Sequence, residues 1–235
     1  MSTQALREKV CAANLELPGT GLVVLTWGNV SGVDRDAGLM AIKPSGVAYD
    51  VLTPEQIVVL RLEDGEQVEG SLRPSSDTPT HLHLYRELPG LGGVVHTHSS
   101  YASSWAQAER ELPCFGTTHA DHFYGAVPLT RLLEDAEMDE YELNTGKVIV
   151  ERLRELELSP QEMPGILTRR HGPFTWGKSI ADAVKNAVIL EEIARMAFAS
   201  VALSPDLGCA PKSLIEKHFL RKHGPAAYYG QKLEK

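Results

Sequence analysis

Apolar positions recur along the chain with two different periods. In the first segment Leu6, Val10, Ala13 and Leu17 fall at helical spacing, and Pro18-Gly19 ends the run. Three β-rich runs follow: LVVLT at 22–26, LMAIK at 39–43 and IVVLRL at 57–62. Between the second and third, Thr53-Pro54-Glu55-Gln56 resembles a capping box with proline at the first helical position, which predicts a short helical turn. Glu63-Asp64-Gly65 predicts a hairpin turn. Further on, the pattern predicts a helix at 78–88, a buried strand at 93–98, and helices at 102–109 and 145–156. A strand at 165–168 runs into Arg169-Arg170-His171-Gly172, and Ser179 caps a long helix reaching about 203. Ala183, Ala187, Leu190, Ala194, Met196 and Ala197 give that helix a stripe for packing on a sheet or a neighbouring subunit. A last helix covers 212–222. Hairpins occur as often as β-α-β units, so the expected fold class is α/β, a mixed sheet with helices on both faces.

Composition narrows the function classes. A chain of 235 residues with 43 % hydrophobic and 23 % charged positions suits one large domain, or at most two. A net charge of −8 without a Lys/Arg cluster argues against nucleic acid as a partner. The segment 187–203 is interrupted by Glu191, Glu192 and Arg195, so no membrane span is expected there, and the charged N-terminal helix is not a signal peptide. Cys11, Cys114 and Cys209 form no C-x-x-C pair, which fits reduced thiols in a cytoplasm. No G-x-G-x-x-G is present. The basic run Lys217, His218, Arg221, Lys222, His223 either complements the dipole at the end of a late helix or contacts an anion.

The chemistry centres on histidine. His96-Thr97-His98 closes a strand, where positions i and i+2 leave the same face. Two imidazoles there converge on one metal ion, or they are two polar residues at a strand end. His81-Leu82-His83 lies in a predicted helix, where i and i+2 point about 200° apart; those two cannot chelate one ion and are structural or surface residues. A third ligand is needed. His171, followed by Gly172-Pro173, is the best candidate, and Asp77 in Pro74-Ser75-Ser76-Asp77-Thr78-Pro79 is the next, its other reading being a helix N-cap. Three histidines with an open position would let a metal act as Lewis acid on a carbonyl.

Three loops, Gly28-Asn29-Val30-Ser31, Lys43-Pro44-Ser45-Gly46 and Ser75-Ser76, carry the backbone amides, hydroxyls and lysine of a phosphate cradle, although the same residues fill ordinary turns. Asp121, in Thr117-Thr118-His119-Ala120-Asp121-His122, is an acid/base candidate or a solvated loop residue. Tyr228-Tyr229-Gly230-Gln231 places aromatics in a tail that would fray unless it docks, a neighbouring subunit being one partner.

LTWGNVS at 25–31, IKPSGV at 42–47, PSSDTPTH at 74–81, VVHTHS at 94–99, GTTHAD at 116–121, HGPFTWG at 171–177 and KHFLRKHG…AYYGQ near the end resemble, almost from end to end, the class II aldolase/epimerase family. The resemblance implies a three-layer α/β/α fold with a largely antiparallel sheet, one domain over 1–235, and a tail of about 212–235 docking at a subunit interface of a homotetramer. His96, His98 and His171 then correspond to metal ligands, with zinc the usual ion, and Asp77 falls where epimerases of the family carry a metal-associated aspartate. Aldolases of the family carry a glutamate there, so Asp77 tilts the reading toward an epimerase acting at carbon 4 of a sugar phosphate by retro-aldol/aldol chemistry. The alternatives are an aldolase and a non-catalytic assembly module like the adducin head. Gly28, Asn29, Lys43, Ser45, Gly46, Ser75 and Ser76 match phosphate- and substrate-binding positions. Asp121 matches one acid/base and Tyr229, from an adjacent subunit, the other; His218 and Arg221 match positions near the site. His122, Arg169-Arg170 and the extension 232–235 depart from the family pattern.

Overall fold

In the computed structural model, which describes residues 2–228, helix α1 (Thr3–Glu16) starts where the Ser2 side chain accepts from the Ala5 amide. It buries Leu6, Val10, Cys11 and Ala13, and Gly21 with φ 75° ends the short 3₁₀ turn that follows. The chain then forms a meander of β1 (Gly28–Asp34), β2 (Leu39–Ile42), β3 (Val58–Arg61) and β4 (Gln67–Glu69). The expected capping box forms at Thr53, whose amide donates to Gln56 Oε1 at 2.9 Å. The hairpin turn at Glu63–Gly65 forms between β3 and β4, with Gly65 at φ 81° and its amide on the Arg61 carbonyl at 2.9 Å.

Helix α2 (Thr78–Glu87) carries the chain over one face of the sheet, and β5 (Gly93–Thr97) returns beside β1. Helices α3 (Ser100–Gln107), α4 (Thr117–Ala120) and α5 (Tyr141–Glu155) follow. The hairpin β6 (Gly165–Leu167)–β7 (Pro173–Gly177), α6 (Ile180–Leu203) and α7 (Lys212–His223) complete the chain. The strand order is β4-β3-β2-β1-β5-β7-β6. Helices α2 and α5 cover one face over Leu84, Tyr85, Val94, Ile149, Phe174 and Trp176. Helices α1 and α6 cover the other over Val30, Val95, Ala183 and Val184. Each such aliphatic side chain taken from water stabilises the fold by about 1.5–3 kcal/mol. The three-layer α/β/α arrangement is as expected.

The sheet itself is not mixed: every strand pairing among the described residues is antiparallel, and the one parallel contact is an isolated bridge between Leu129 and Leu167. Excursions through helices bring each strand back reversed, as in a chain of hairpins. The run at 22–26 is not a strand. It is a turn with Leu25 at φ 54°, while the more polar GNVSGVD forms β1, because that segment sits mid-sheet between β2 and β5 and neighbours decide strand formation more than local propensity. The chain re-enters the sheet two residues after His171, because Pro173 opens β7, a position that needs no amide donor. Helix α5 starts four residues earlier than the expected 145, and β4 and α4 were not foreseen. Ser179 caps α6 by accepting from the Asp182 amide at 3.1 Å. Its predicted stripe is buried except for Met196, which is exposed. No helix among the described residues is long and apolar enough to cross a membrane. The three cysteines are free thiols.

Candidate metal centre

Antiparallel register assembles the site. Asn29 on β1 lies directly opposite His96 on β5, and Phe174 on β7 lies opposite it on the other side. The His96 ring stacks on Phe174 with centroids 4.2 Å apart. His98, one residue past the end of β5, keeps the His96 face. His171 reaches the pair from the turn between β6 and β7, where its amide bonds the Thr168 carbonyl at 3.1 Å after Arg170 adopts φ 59°. Gly172 lets that turn pass close: a Cβ there would sit 2.7 Å from the Thr97 carbonyl oxygen.

The three ring centroids are 4.7–5.0 Å apart, and one nitrogen from each ring lies within 4.8 Å of the others. His96 Nδ1 sits 3.0 Å from the Pro173 carbonyl, an acceptor only, so Nδ1 carries the proton and Nε2 presents its lone pair. That Nε2 faces His98 Nε2 at 3.2 Å. Two nitrogens bound tetrahedrally to one zinc-like ion are about 3.3 Å apart, given bond lengths of about 2.0–2.1 Å. The donor set therefore fits a divalent cation. The Tyr141 hydroxyl stands 3.2 Å from His171 Nδ1, and a proton on that nitrogen leaves Nε2 for the ion. Burial, together with the neighbouring His96 and His98, holds His171 down at about 3, and burial also lowers His98. Both rings are neutral, as ligands must be.

Asp77 occupies the N-cap position of α2, as its alternative reading held, yet its side chain makes no cap bond. Its Oδ2 instead accepts from Asn29 Nδ2 at 2.7 Å. The three-imidazole group does not include Asp77; the carboxylate stands beside it. Burial favours the protonated acid there, but His96, His81, the Asn29 amide and His171 outweigh it, and the carboxyl stays below its usual range. His81 and His83 do not chelate together: His81 is fully buried and hydrogen-bonded to Ser31 Oγ at 2.7 Å, while His83 is half-buried.

The three histidines and Asp77 share a cleft of about 560 Å³ with Gly28, Asn29, Lys43, Ser45, Gly46, Ser75 and Ser76. That volume suits a small-molecule ligand. The 43–46 loop is tied to the 73–77 segment by the Ser45 amide on the Arg73 carbonyl, 3.0 Å, and the Ser75 amide on the Lys43 carbonyl, 3.1 Å. Ser75 Oγ accepts from Asn29 Nδ2 at 3.1 Å. Lys43 is 2 % exposed; its Nζ meets the Pro44 and Val47 carbonyls and lies 5.0 Å from the Tyr49 ring. Burial lowers its pKa to about 8. Gly28 is required by geometry: at φ 142° a Cβ would stand 2.9 Å from the His96 carbonyl oxygen. Thr26, Trp27, Tyr141 and Glu142 also line the cleft and were not foreseen as site residues. Trp27 lies inside a quoted motif; nothing in the spacing around Tyr141 flags it. A larger groove of about 660 Å³, between 159–164, the start of α6 and α7, takes in Lys222 and His223 of the basic run but none of the foreseen metal, acid/base or phosphate-binding residues.

Asp121 stands apart from this chain's own cleft. Its carboxylate accepts from Arg221 Nη2 at 2.8 Å and His218 Nδ1 at 3.0 Å, with Lys222 Nζ at 3.5 Å. Burial opposes ionisation, but Arg221, His218 and Lys222 hold the carboxyl below its usual range. The basic run of α7 thus meets an anion, and the anion is this carboxylate. His218 and Arg221 lie with Asp121, also outside the cleft. Tyr229 lies outside the described residues.

Two curated relatives, both described as L-ribulose-5-phosphate 4-epimerase UlaF, come from Salmonella paratyphi A and Salmonella typhi. Each is 56 % identical over 230 residues, covering 97 % of this chain and all of the relative. Among solved structures, an L-fuculose 1-phosphate aldolase superposes with a TM-score of 0.78 at 23 % identity, covering 93 % of this chain and 96 % of that one. The L-fuculose-1-phosphate aldolase of Thermus thermophilus gives 0.67 at 23 % identity, covering 87 % of this chain and 99 % of that one. Those two likenesses carry the fold. Residues 8–198 match the class II aldolase and adducin N-terminal domain, and the chain belongs to that family.

Proposed function

We propose that the protein is an L-ribulose-5-phosphate 4-epimerase, a divalent-metal-dependent isomerase that interconverts L-ribulose 5-phosphate and D-xylulose 5-phosphate with zinc as its ion. The observation that carries this reading is one cleft holding three converging imidazoles, Asp77 and the groups of a phosphate cradle. The relatives at 56 % identity supply the substrate.

The hydrogen on carbon 4 is not adjacent to the ketose carbonyl, so its removal gives no stabilised anion. Cleavage between carbons 3 and 4, rotation of the aldehyde fragment and re-addition to its other face inverts that carbon without redox chemistry. A cation held by His96, His98 and His171, with Asp77 beside it, supplies Lewis acidity at the carbonyl end of the substrate. Asn29, Lys43, Ser45, Gly46, Ser75 and Ser76 hold the phosphate, which keeps the aldehyde fragment from escaping. Gly28 lets the chain pass close to His96 and keeps that wall of the cleft open.

Asp121 and Tyr229 remain the proposed proton carriers at the carbon-4 oxygen. Because Asp121 lies outside its own chain's cleft, this reading places it, with His218, Arg221 and Tyr229, at the cleft of a neighbouring copy in a cytoplasmic homotetramer. Val24, Leu25 and Trp27, exposed beside the cleft, favour such a covering copy. The chain acts in this reading as one domain whose tail docks at the interface.

A coupled assay for D-xylulose 5-phosphate formed from L-ribulose 5-phosphate tests the proposal. Turnover should disappear on chelation and return with added zinc. Accumulation of glycolaldehyde phosphate and dihydroxyacetone would instead make the protein an aldolase.

A further inference from the structure

The three imidazoles are not held alike. His96 stands on β5 with a paired strand on each side, its Nδ1 at the Pro173 carbonyl and its ring stacked on Phe174. His171 stands in the turn between β6 and β7, where no strand neighbour fixes its side chain. Among the described residues its ring has one hydrogen-bond partner, the Tyr141 hydroxyl, 3.2 Å from Nδ1. The two rings are 5.9 Å apart and tilted by 46°, so they meet through that hydroxyl and not by stacking.

Tyr141 is itself anchored. It is the first residue of α5, and its carbonyl accepts from Thr145 Oγ1 at 2.8 Å. Asn144 Nδ2 donates to the Glu137 carbonyl at 2.7 Å, which ties this first turn to the segment before it. The carbonyl of the next residue, Glu142, accepts from Thr80 Oγ1 on α2. Thr80 lies three residues past Asp77 in the first turn of its own helix. Gly146 lets the two helices come this close: a Cβ there would stand 3.0 Å from His83 Cβ and 3.3 Å from Thr80 Cα. Thr80, Asn144 and Thr145 are buried, so water does not compete for these bonds. One contact between α2 and α5 thus carries both Asp77 and Tyr141 to the wall of the cleft.

A histidine that gives one ring nitrogen to an ion uses the other to bond a partner, which fixes its tautomer and orientation. Pro173 serves His96 in this way. We infer that Tyr141 is the corresponding positioning residue for His171: its hydroxyl, held in place by the α2–α5 contact, orients the His171 ring so that Nε2 faces the ion. The inference rests on the cation reading of the three histidines, but not on which sugar is turned over.

The test is zinc titration by calorimetry of the whole protein and of Tyr141→Phe, with ¹⁵N-histidine NMR of both. In the zinc-loaded wild type, His171 should carry zinc on Nε2 and a slowly exchanging proton on Nδ1. Tyr141→Phe keeps the ring and removes only the hydroxyl. It should weaken zinc binding by about 10–100-fold, the range for partners of metal ligands, and speed exchange of the Nδ1 proton. Activity at limiting zinc should fall in step with zinc occupancy. A folded Tyr141→Phe that binds zinc within about twofold of the wild type would overturn the inference. So would a zinc-loaded wild type whose His171 carries its proton on Nε2, a readout that needs no variant to fold. Failure of the wild type to bind zinc would overturn the cation reading itself, and the inference with it.

Discussion

Asn29 Nδ2 donates to Asp77 Oδ2 at 2.7 Å, and this bond draws the N-cap aspartate of α2 off its own helix. A carboxylate at that position ordinarily accepts from the first-turn amides. Here it is turned toward β1 and the three imidazoles. Replacing Asn29 with Ala should let Asp77 return to capping. We expect zinc affinity and kcat to fall by about 10–100-fold, with thermal stability changing by less than the loss of activity suggests. Metal titration together with a thermal melt checks this; unchanged zinc affinity would show that the bond does not hold Asp77 for the site.

The three imidazoles should stand or fall together. His98→Ala leaves two donors where three are needed, so bound zinc measured after dialysis should drop from about one per chain to near zero. Chelation of the wild type should lower the melting temperature as well as activity, because an ion that binds only the folded state at 100 times its Kd adds about 2.7 kcal/mol.

Acid should destabilise the metal-free protein over a defined window. His171 and His81 have folded pKa values of about 3, each lowered chiefly by burial, against an unfolded value of about 6.5. Between those values the unfolded chain binds more protons, so stability falls as pH drops, by about 1.4 kcal/mol per pH unit for each ring. At the alkaline side Lys43, at about 8 in the fold, behaves likewise. The unfolded lysine stays protonated to about 10.4, so stability rises with pH through that window. Urea melts at several pH values should show both slopes, and Lys43→Met should flatten the second only.

Gly28→Ala should be severe. The residue holds φ 142°, and its Cβ would meet the His96 carbonyl oxygen and Val23 Cγ1, both at 2.9 Å. Strain and displacement of β1 against β5 should cost about 2–4 kcal/mol, read from denaturant midpoints. A variant as stable as the wild type would mean that β1 has room to shift.

Asp121→Asn separates two roles for that residue. Losing the charge opposite Arg221, His218 and Lys222 should destabilise the docking of α7 by about 1.5–3 kcal/mol, seen as faster amide exchange in 212–223. If Asp121 also carries a proton in turnover, kcat should fall far more than exchange protection. A kcat that merely follows the loss of α7 would confine Asp121 to structure.

The chain's own pattern determined the elements and the nature of the chemistry. His96 and His98 could be read as a chelating pair because a strand has period two, and His81 and His83 could be set aside as a pair because a helix does not. These are local consequences of backbone geometry. The hairpin at Gly65 and the cap at Ser179 were legible for the same reason. Only the tertiary structure decided what meets the pair. The β1–β5–β7 register put Asn29 on one side of His96 and Phe174 on the other, the β6–β7 turn delivered His171, and the start of α5 brought Tyr141 to it. The same packing made a strand of GNVSGVD rather than LVVLT and paired Asp121 with α7. Such relationships depend on which strands become neighbours, a choice made by burying whole faces at once, which no short window of residues encodes.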